Sequence, residues 1–435
     1  MEDETKYMRI GTSLYKVVRK PGLSGSMTKS IIQWSYGALR QDESKEYIFS
    51  IPKYDGFCIV PDNINYKRVV GNFYNKYEPI NHIPTEGSFI HIDSLMRHIF
   101  EEQYELGMDY IQLLYTRPLQ NLPILLLVSQ ERDTGKSTFL NFLKAIFQDN
   151  VTFNTNEDFG SKFNEELATK LLVVVDEVML NKREDTERLK NLSTALNYKV
   201  EAKQKDRHEI EFFSKFVLCS NNEAFPIIID PEETRFWVRK IRHLESDDTD
   251  FLKKLKVEIP AFLYFLLHRQ MYTRVQSHMW FSASDLRTAA LERIMNSSRS
   301  RLELDMAELF NEIMDAHHTD CISFCMADLI ALFEYHHIKM DKAQVKRILK
   351  DLWKVPHADN ALSYSTYIID RDNTTGYAEV RRIGRFYTVS RDNISHLLLY
   401  IVELLNKRTK AIGYKIFNIS TNIQQPFNKE RNMVR

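Results

Sequence analysis

The sequence contains few of the residues that interrupt secondary structure or cross-link the chain. Its 435 residues include only 13 glycines, 12 prolines and four cysteines. Four cysteines in a chain of this length exclude a disulfide framework and favour a reducing compartment. No segment is low in complexity and no internal repeat is present, which excludes a fibrous or solenoid protein. The length predicts two to four domains with a sizeable core.

An excess of charge and long apolar runs are also missing. Lys plus Arg and Asp plus Glu both number 59, so any surface for a polyanion must be local. The longest apolar runs, such as 122–128, are far shorter than the roughly 20 residues that cross a bilayer. The acidic start, MEDETKYMRIG, lacks the apolar run of a signal peptide. We therefore expect a soluble intracellular protein with no membrane partner.

The centre of the chain has the pattern of an α/β fold. Three continuous apolar runs, LPILLLV (122–128), KLLVVVD (170–176) and SKFVLCS (214–220), are bounded by polar residues. Such runs suit strands that are buried on both faces, as in a parallel sheet. Amphipathic segments at 137–147 and 184–197 lie between the runs and predict helices. The alternation of strands and helices predicts an α/β core with a parallel sheet.

The region before this core has a different composition. Residues 1–86 predict a small β-rich module, with strands at LYKVV, YIFSI and GFCIV. Residues 87–120 predict two helices. Asp93 is expected to cap the first helix and Gly107 to end it, and Pro118 is expected to stop the second.

The region after the core is mostly helical. Residues 246–299 predict a helical lid or linker, in which Pro260 starts a helix. Residues 300–400 predict three helices and then a β-hairpin formed by SYSTYIID and GRFYTVS, which is the outline of a winged-helix-like α+β module. The basic tail, 401–435, could contact nucleic acid or be a solvated end.

A phosphate-binding loop is indicated by SQERDTGKST, residues 129–138. Gly135, Lys136 and Ser137 match the end of the pattern G-x-x-x-x-G-K-[ST], and the stretch joins a predicted strand to a predicted helix. Lys136 can neutralise the β and γ phosphates, and the Ser137 hydroxyl can ligate Mg²⁺. Thr134 and Thr138 complete the predicted nucleotide-binding set. Gln130 occupies the leading glycine position, at a cost of ~1 kcal/mol if it must adopt a positive φ.

Polar residues follow the other two predicted strands. In LLVVVDEV, the apolar strand ends in Asp176 and Glu177. One carboxylate can hold Mg²⁺ and the second can activate the attacking water. Asn221 follows the third strand and can contact the γ phosphate or the water, with Asn222 as the alternative if the register differs by one residue. Arg235 could reach the phosphate of a neighbouring subunit, or it could form a surface ion pair with one of the preceding glutamates.

These motifs occur in an order that resembles the superfamily 3 helicases of viruses and mobile elements. More closely, the chain resembles the phage- and prophage-type primase–helicase proteins. The resemblance rests on QERDTGKST, VVVDE, NYKVEAKQKDRHEIEFF, FVLCSNN and TRFWVRK, and it covers about 88–245. It implies an AAA+-like P-loop ATPase core over 121–245, preceded by a collar-like helical segment over 87–120. It also implies ATP and Mg²⁺ as ligands, a hexameric ring, single-stranded DNA and a primase or polymerase as partners, and the cytoplasm of a bacterial or phage-infected cell.

The resemblance also assigns roles to single residues. Lys136 and Ser137 match the phosphate-loop pair, Asp176 and Glu177 the acidic pair, Asn221 the sensor and Arg235 the arginine finger. Ser137 and Asp176 would hold Mg²⁺. A hairpin over 198–213 would contact single-stranded DNA in the pore, through Lys199, Lys203, Lys205, Arg207 and His208. Basic groups can contact phosphates, but acidic residues are interspersed among them, so a solvated hairpin without DNA contact remains an alternative.

The sequence therefore predicts an ATP-driven DNA helicase or translocase that acts in replication of a phage or mobile element. Two alternatives stay open: an ATPase that remodels or loads a replication partner without unwinding, and a non-hydrolytic nucleic-acid-binding protein with a decayed loop. One further cluster has the residue types of a zinc site but not its spacing, and we expect its members to be core and surface residues. It comprises His317, His318, Cys321, Cys325, His336 and His337.

Overall fold

The computed structural model describes residues 6–21, 27–160, 167–180, 183–200, 208–223, 225–230, 233–244, 248–336, 342–370 and 376–392. The chain divides into two compact units, Met1–Ser298 and Arg299–Arg435. Within the described ranges, no helix is both long enough and apolar enough to span a bilayer.

The first unit begins with small sheets and two short helices. Its elements are β1 (Tyr7–Ile10), β2 (Ser13–Pro21), β3 (Met27–Trp34), α1 (Tyr36–Asp42), α2 (Lys45–Ser50), β4 (Lys53–Tyr54), β5 (Gly56–Cys58), β6 (Val69–Val70) and β7 (Phe73–Asn75). One sheet has the order β3-β2-β1-β4 and another the order β5-β7-β6. The prediction of a strand at YIFSI is wrong, because most of this segment lies in α2. The Ser44 hydroxyl accepts a hydrogen bond from the Tyr47 amide and caps that helix.

Two buried helices follow, α3 (Ile90–Phe100) and α4 (Tyr104–Thr116), joined by a 3₁₀ turn. The predicted capping role of Asp93 and the predicted end at Gly107 are both wrong. Asp93 lies inside α3, and the chain breaks at Glu101, which has a φ of 43°. Gly107 lies inside α4 against Phe100, where a Cβ would approach the ring to 2.3 Å. Close packing, and not helix termination, therefore requires this glycine.

A five-stranded parallel sheet forms the centre of the unit. Its region contains β8 (Ile124–Val128), α5 (Lys136–Phe147), β9 (Val151–Asn154), α6 (Asn156–Gly160), β10 (Leu172–Val175), α7 (Arg183–Thr194), β11 (Asn197–Val200), β12 (His208–Glu211), β13 (Lys215–Ser220) and β14 (Phe236–Lys240). The strand order is β14-β8-β13-β10-β9, and every pairing is parallel. Apolar clusters cover both faces. The predicted α/β class and parallel sheet are confirmed, since the three apolar runs are buried strands.

The unit closes with α8 (Phe251–His268) and α9 (Ala283–Leu286), and α10 (Ala289–Ala316) crosses its boundary. The prediction that Pro260 starts a helix is wrong, because Pro260 lies inside α8. A proline lacks the amide that would bond within the helix. Its own carbonyl accepts a hydrogen bond from the Thr85 amide at 3.2 Å, which ties α8 to the segment before α3.

The second unit contains the end of α10 and then β15 (Cys321–Phe324), α11 (Met326–Tyr335), α12 (Lys342–Arg347), β16 (Leu362–Ile369), β17 (Tyr377–Gly384) and β18 (Tyr387–Ser390). A π-helical turn follows α12. The predicted hairpin pairing is wrong: β16 pairs with β17, a strand that was not predicted, and β18 pairs antiparallel with β15. The pairing partner of β18, β15, is more than 60 residues away in the sequence, so only the tertiary structure reveals this pairing. The basic tail, 401–435, lies outside the described residues.

Candidate functional site

The loop between β8 and α5 keeps its shape without a glycine at its start. Its left-handed residues are Asp133 (φ 53°) and Gly135 (φ 80°), and Gln130 does not adopt a positive φ. The backbone amide of Gln130 instead donates a hydrogen bond to the Glu223 carboxylate at 3.1 Å, and Lys240 binds the other oxygen of that carboxylate at 2.9 Å. Gln130 therefore carries none of the backbone strain that a non-glycine residue with a positive φ would have at this position.

Gly135 and Lys136 form the turn into α5. A Cβ on Gly135 would meet a methyl group of Leu244 at 3.0 Å, so the glycine serves both the left-handed turn and the close packing. The Lys136 side chain is buried and donates to Thr134 Oγ1 at 2.9 Å. Burial lowers the pKa of the Lys136 ammonium, and the neighbouring carboxylate of Asp176 acts against that shift. A multiply charged anion in the loop would stabilise the charged lysine.

Ser137 and Asp176 meet across the carboxyl ends of two strands. The Ser137 hydroxyl donates to Asp176 Oδ2 at 2.7 Å, and both side chains are exposed to the cleft. β8, β13 and β10 are parallel neighbours, so the residues that follow them share one edge of the sheet. A hydroxyl and a carboxylate in contact are oxygen ligands of the kind that Mg²⁺ takes together with water and phosphate oxygens.

Glu177 is held by two asparagines. Asn221 Nδ2 donates to its carboxylate at 3.1 Å, and Asn156 Nδ2 donates to its backbone carbonyl at 3.1 Å. Glu177 itself has a φ of 64°, which turns the chain sharply after Asp176. The residue that follows β13 and the first residue of α6 thus fix the position of Glu177 together. The side-chain oxygen of Asn222 accepts a hydrogen bond from the backbone amide of Phe225.

One cavity of about 360 Å³ collects most of the predicted site. Its lining is Arg132, Asp133, Thr134, Gly135, Lys136, Ser137, Thr138, Asp176, Glu177 and Asn221. Eight of these ten residues were predicted from the sequence. Arg132 and Asp133 were not predicted, although their position inside the loop was a sufficient signal. Asn156 and Glu223, which hold Glu177 and Gln130 from distant elements, had no recognisable signal in the sequence.

Arg235 lies away from this cavity. It precedes β14, and its backbone carbonyl accepts a hydrogen bond from the Ile124 amide at the start of β8. Arg235 therefore lies at the amino ends of these parallel strands, whereas the loop lies at the carboxyl end of β8. Its guanidinium contacts the buried carboxylate of Glu233 at 3.2 Å, so the ion pair with a preceding glutamate that the sequence also allows is formed, although it is not at the surface. The arginine cannot reach the cleft of its own chain from there, and its action on a neighbouring subunit stays a prediction.

The predicted DNA-contacting hairpin is present as the antiparallel pair β11–β12. Lys199 pairs with Glu209 and Val200 with His208 in the register of the two strands. The other three basic candidates, Lys203, Lys205 and Arg207, lie outside the described residues. The DNA-contacting role of the hairpin therefore stays a prediction.

The His/Cys cluster is dispersed through the second unit. His317 packs its ring against Tyr367, and His336 Nε2 contacts the Tyr377 hydroxyl at 2.8 Å. Cys325 precedes α11 as its N-cap residue. Within the ranges that the structure describes, no three histidine, cysteine or acidic side chains converge as metal ligands, and His337 is outside those ranges.

Comparison with known sequences gives a short match in the same region. A family of unknown function, DUF5906, matches residues 127–239, which span the loop, the acidic pair and the asparagine. The DNA primase-polymerase of Nitratiruptor phage NrS-1 is 32% identical over 111 residues. This match covers 24% of the present chain and 15% of the phage protein. The chain is thus similar to a small part of a phage DNA primase-polymerase.

Comparison with solved structures covers nearly the whole chain. An apo structure of the NrS-1 C-terminal region superposes with a TM-score of 0.52 at 14% identity, covering 88% of this chain and 95% of that one. The A form of the same region gives 0.52 at 14% identity, with coverages of 87% and 96%. At this level of identity the comparison shows a shared fold. The fold of this chain is therefore that of the NrS-1 C-terminal region.

The residues of the cleft fit a nucleoside triphosphate with a divalent cation. Lys136 is a buried cation whose hydrogen-bond partner, Thr134, is neutral. Gly135 allows backbone amides to approach a ligand closely, at the N-terminus of an amphipathic helix, which is a favourable position for phosphate. Ser137 and Asp176 offer the oxygen pair for the metal. Donors for the anion and ligands for the cation thus converge in one cavity.

Proposed function

We propose that this chain is a magnesium-dependent ATPase that moves along single-stranded DNA during replication of a phage or mobile element. The single observation that carries the proposal is the contact of Ser137 with Asp176 beside the buried Lys136 in one polar cleft. The NrS-1 relative, named a DNA primase-polymerase, supports a role in replication. The chain also shares its fold with the C-terminal region of that relative.

The residues of this P-loop core would divide the chemistry as follows. Lys136 binds the β and γ phosphates, and Thr134, Gly135 and Thr138 shape the loop around them. Ser137 and Asp176 hold Mg²⁺, which when bound neutralises phosphate charge and orients the leaving group.

The acidic residue and its asparagine would act on the water. Glu177 orients the attacking water and accepts its proton. Asn221, which bonds the same carboxylate at 3.1 Å, fixes the direction of Glu177 and senses the γ phosphate. Because Asn221 directly follows β13, a change in its hydrogen bonds as phosphate binds or leaves would reach that strand.

The assembly proposed for this activity is a hexameric ring. Arg235, on the sheet edge away from its own cleft, would reach the nucleotide of the next subunit and stabilise charge in the transition state. The hairpin over 198–213 would contact single-stranded DNA in the pore through Lys199, Lys203, Lys205, Arg207 and His208. A primase or polymerase is the expected partner.

The second unit is proposed to be a winged-helix-like module. Support comes from its order of elements: α10, β15, α11, α12, then the hairpin β16–β17 and a returning strand, β18. An apolar cluster that includes Phe310, Leu329, Ile348 and Val389 gives this unit its own core.

The test measures phosphate release and strand displacement by the full chain. We expect Mg²⁺-dependent ATP hydrolysis that single-stranded DNA stimulates, and its loss in Asp176→Asn, which keeps the shape of the side chain but not its charge. Lys203→Ala/Lys205→Ala should keep hydrolysis and lose unwinding. Hydrolysis without any displacement by the unaltered chain would indicate a remodelling or loading ATPase. Absence of phosphate release under every condition would leave the non-hydrolytic nucleic-acid-binding alternative.

A further inference from the structure

A second cavity, of about 700 Å³, lies in the first unit and shares no residue with the nucleotide cleft. It is open to solvent and is lined on one side by β3 and the residues after β7, and on the other by β9 at the edge of the parallel sheet. Four lysines and one exposed aromatic residue characterise this cavity, which we call the basic cleft: Lys29, Lys76, Lys144, Lys170 and Phe153.

Two of the lysines donate hydrogen bonds to neutral groups. Lys144 Nζ donates to the Val151 carbonyl at 2.9 Å, and Lys170 Nζ donates to the Asp149 carbonyl at 2.7 Å. A backbone carbonyl orients an ammonium group but does not cancel its charge. Burial lowers the pKa of Lys144, and the charge of Lys170 lowers it further, while the Asp149 carboxylate opposes both. A bound anion would relieve this repulsion.

Two carboxylates line the basic cleft, and one of them already has a strong partner. Glu78 binds Arg68 at 2.7 Å, and Lys29 is farther from the same oxygen, at 4.0 Å. Asp149 is exposed at the rim. Four lysines against two carboxylates give a local excess of positive charge in a chain whose formal net charge is +0. Such a local excess in a groove attracts polyanions.

Phe153 adds an apolar surface to this positive charge. It lies on β9 with 46% of its surface exposed, although the core of the unit is close by. β9 pairs only with β10 in the described sheet and forms its edge. Lysines that contact phosphates next to an exposed ring on which a base can stack are the combination found in grooves for single-stranded nucleic acid.

We infer that the basic cleft binds single-stranded nucleic acid, with its lysines on the phosphates and Phe153 stacked on a base. This contact is distinct from that of the β11–β12 hairpin. It goes beyond the proposed translocation, because binding in the basic cleft requires neither ATP nor Mg²⁺. The chain would thus hold a strand at a second place while the ring moves along it.

The test titrates the full chain, without nucleotide, against a dye-labelled oligothymidine and an abasic oligomer of equal length, over a range of salt concentrations. Phe153→Ala should weaken oligothymidine binding about tenfold, because one stack is removed, and leave the abasic oligomer unchanged. Lys29→Gln/Lys170→Gln should weaken both oligomers and reduce the salt slope by about 1.4, since each lysine that binds a phosphate contributes about 0.7. Lys253→Gln/Lys256→Gln, on the exposed face of α8, is the matched charge control and should change neither.

Two measurements distinguish the basic cleft from the hairpin and from a contact between chains. The same substitutions in a Lys203→Ala/Lys205→Ala background should weaken binding equally, because the hairpin binds DNA independently of the basic cleft. The inference is overturned if Phe153→Ala, a change at an exposed position, leaves the preference for oligothymidine over the abasic oligomer intact. It is also overturned if the lysine variants change the mass in light scattering but not DNA affinity, which would make the cleft a contact between copies of this chain.

Discussion

At the scale of single residues, the loop from Ser129 to Thr138 depends on contacts that its motif does not contain. Gln130 replaces the usual glycine, but the left-handed turns fall on Asp133 and Gly135. The backbone amide of Gln130 donates a hydrogen bond to Glu223, which also binds Lys240. The start of the loop is therefore held by the segment that follows β13, and this contact takes the place of a flexible glycine.

The contact between Gln130 and Glu223 predicts the behaviour of two substitutions. Glu223→Ala removes the acceptor of the Gln130 amide and the partner of Lys240, so we expect the KM for ATP to rise about tenfold, corresponding to ~1.4 kcal/mol. In Glu223→Gln a carbonyl oxygen remains for the amide, and the KM should rise less. Steady-state hydrolysis over a range of ATP concentrations measures both. Equal KM values for the two variants would contradict the hydrogen bond to Gln130 as the cause.

Substitution of Lys136 should abolish ATP hydrolysis without unfolding the chain. Within the described part of the chain, its buried ammonium has only Thr134 as a hydrogen-bond partner, and its lowered pKa reflects the penalty of burial. Lys136→Ala removes that penalty together with the charge that binds phosphate, so hydrolysis should fall about 100-fold or more while the melting temperature stays equal or rises. Phosphate release and thermal unfolding test this. Lys253→Ala, at an exposed position, is the control and should hydrolyse normally.

At the scale of elements, the junction of α3 and α4 is built on contact between Phe100 and Gly107. Gly107→Ala would place a methyl group at 2.3 Å from the Phe100 ring, which itself stacks on Trp237. We expect a decrease of about 1–2 kcal/mol in the free energy of unfolding, since overpacking outweighs the better helix propensity of alanine. Urea unfolding followed by tryptophan fluorescence measures it. In Phe100→Leu/Gly107→Ala the decreases should be less than additive, and strict additivity would refute the clash.

Strand β13 begins with a buried lysine, which predicts a dependence of stability on pH. Lys215 donates hydrogen bonds to the backbone carbonyls of Pro118 and Phe213. It thereby connects the segment between β12 and β13 to the segment that follows α4. Burial lowers the pKa of Lys215 from 10.5 to about 7. Between these values the unfolded state binds more protons than the folded state, so the free energy of unfolding rises with pH.

A variant without the ammonium isolates this effect. The stability of the unaltered chain relative to Lys215→Met should rise between about pH 7 and pH 10, by up to ~1.4 kcal/mol per pH unit. Below pH 7 both states are protonated and the difference should be constant. The carbonyls left without a donor add an offset that does not depend on pH. Unfolding curves collected at several pH values test the slope, and a flat difference between the two proteins would show that Lys215 keeps its proton when folded.

At the scale of the whole molecule, the proposed ring predicts that active sites are shared between subunits through Arg235. Lys136→Ala and Arg235→Ala should each be inactive alone. Mixed together, they should recover part of the hydrolysis, because a ring then contains clefts with an intact Lys136 that face an intact Arg235. A mixture of Lys136→Ala and Asp176→Ala is the control, since both changes disable the chain's own cleft and no pairing restores one. Equal activity of the two mixtures would exclude the arginine finger.

Much of the central fold could be predicted because its signals are local. A buried parallel strand is apolar along its whole length, as in ILLLV and LVVV, and a phosphate loop and its helix are contiguous in sequence. Predictions failed where a distant partner or a capping contact decided the outcome. YIFSI is helical because Ser44 caps it, and β18 pairs with β15 and not with the strand next to it in sequence.

The sequence by itself determined the α/β class, the parallel sheet and the residues of the cleft from Thr134 to Asn221, because these follow from hydrophobic pattern and from motifs at strand ends. Only the tertiary structure decided that Asn221 holds Glu177, and that Glu223 holds the start of the loop. The basic cleft likewise exists only in the fold, because Lys29 and Lys170, which line it, are far apart in the chain. Hydrogen bonds and burial between distant residues have no pattern in the sequence, and for that reason the fold alone reveals them.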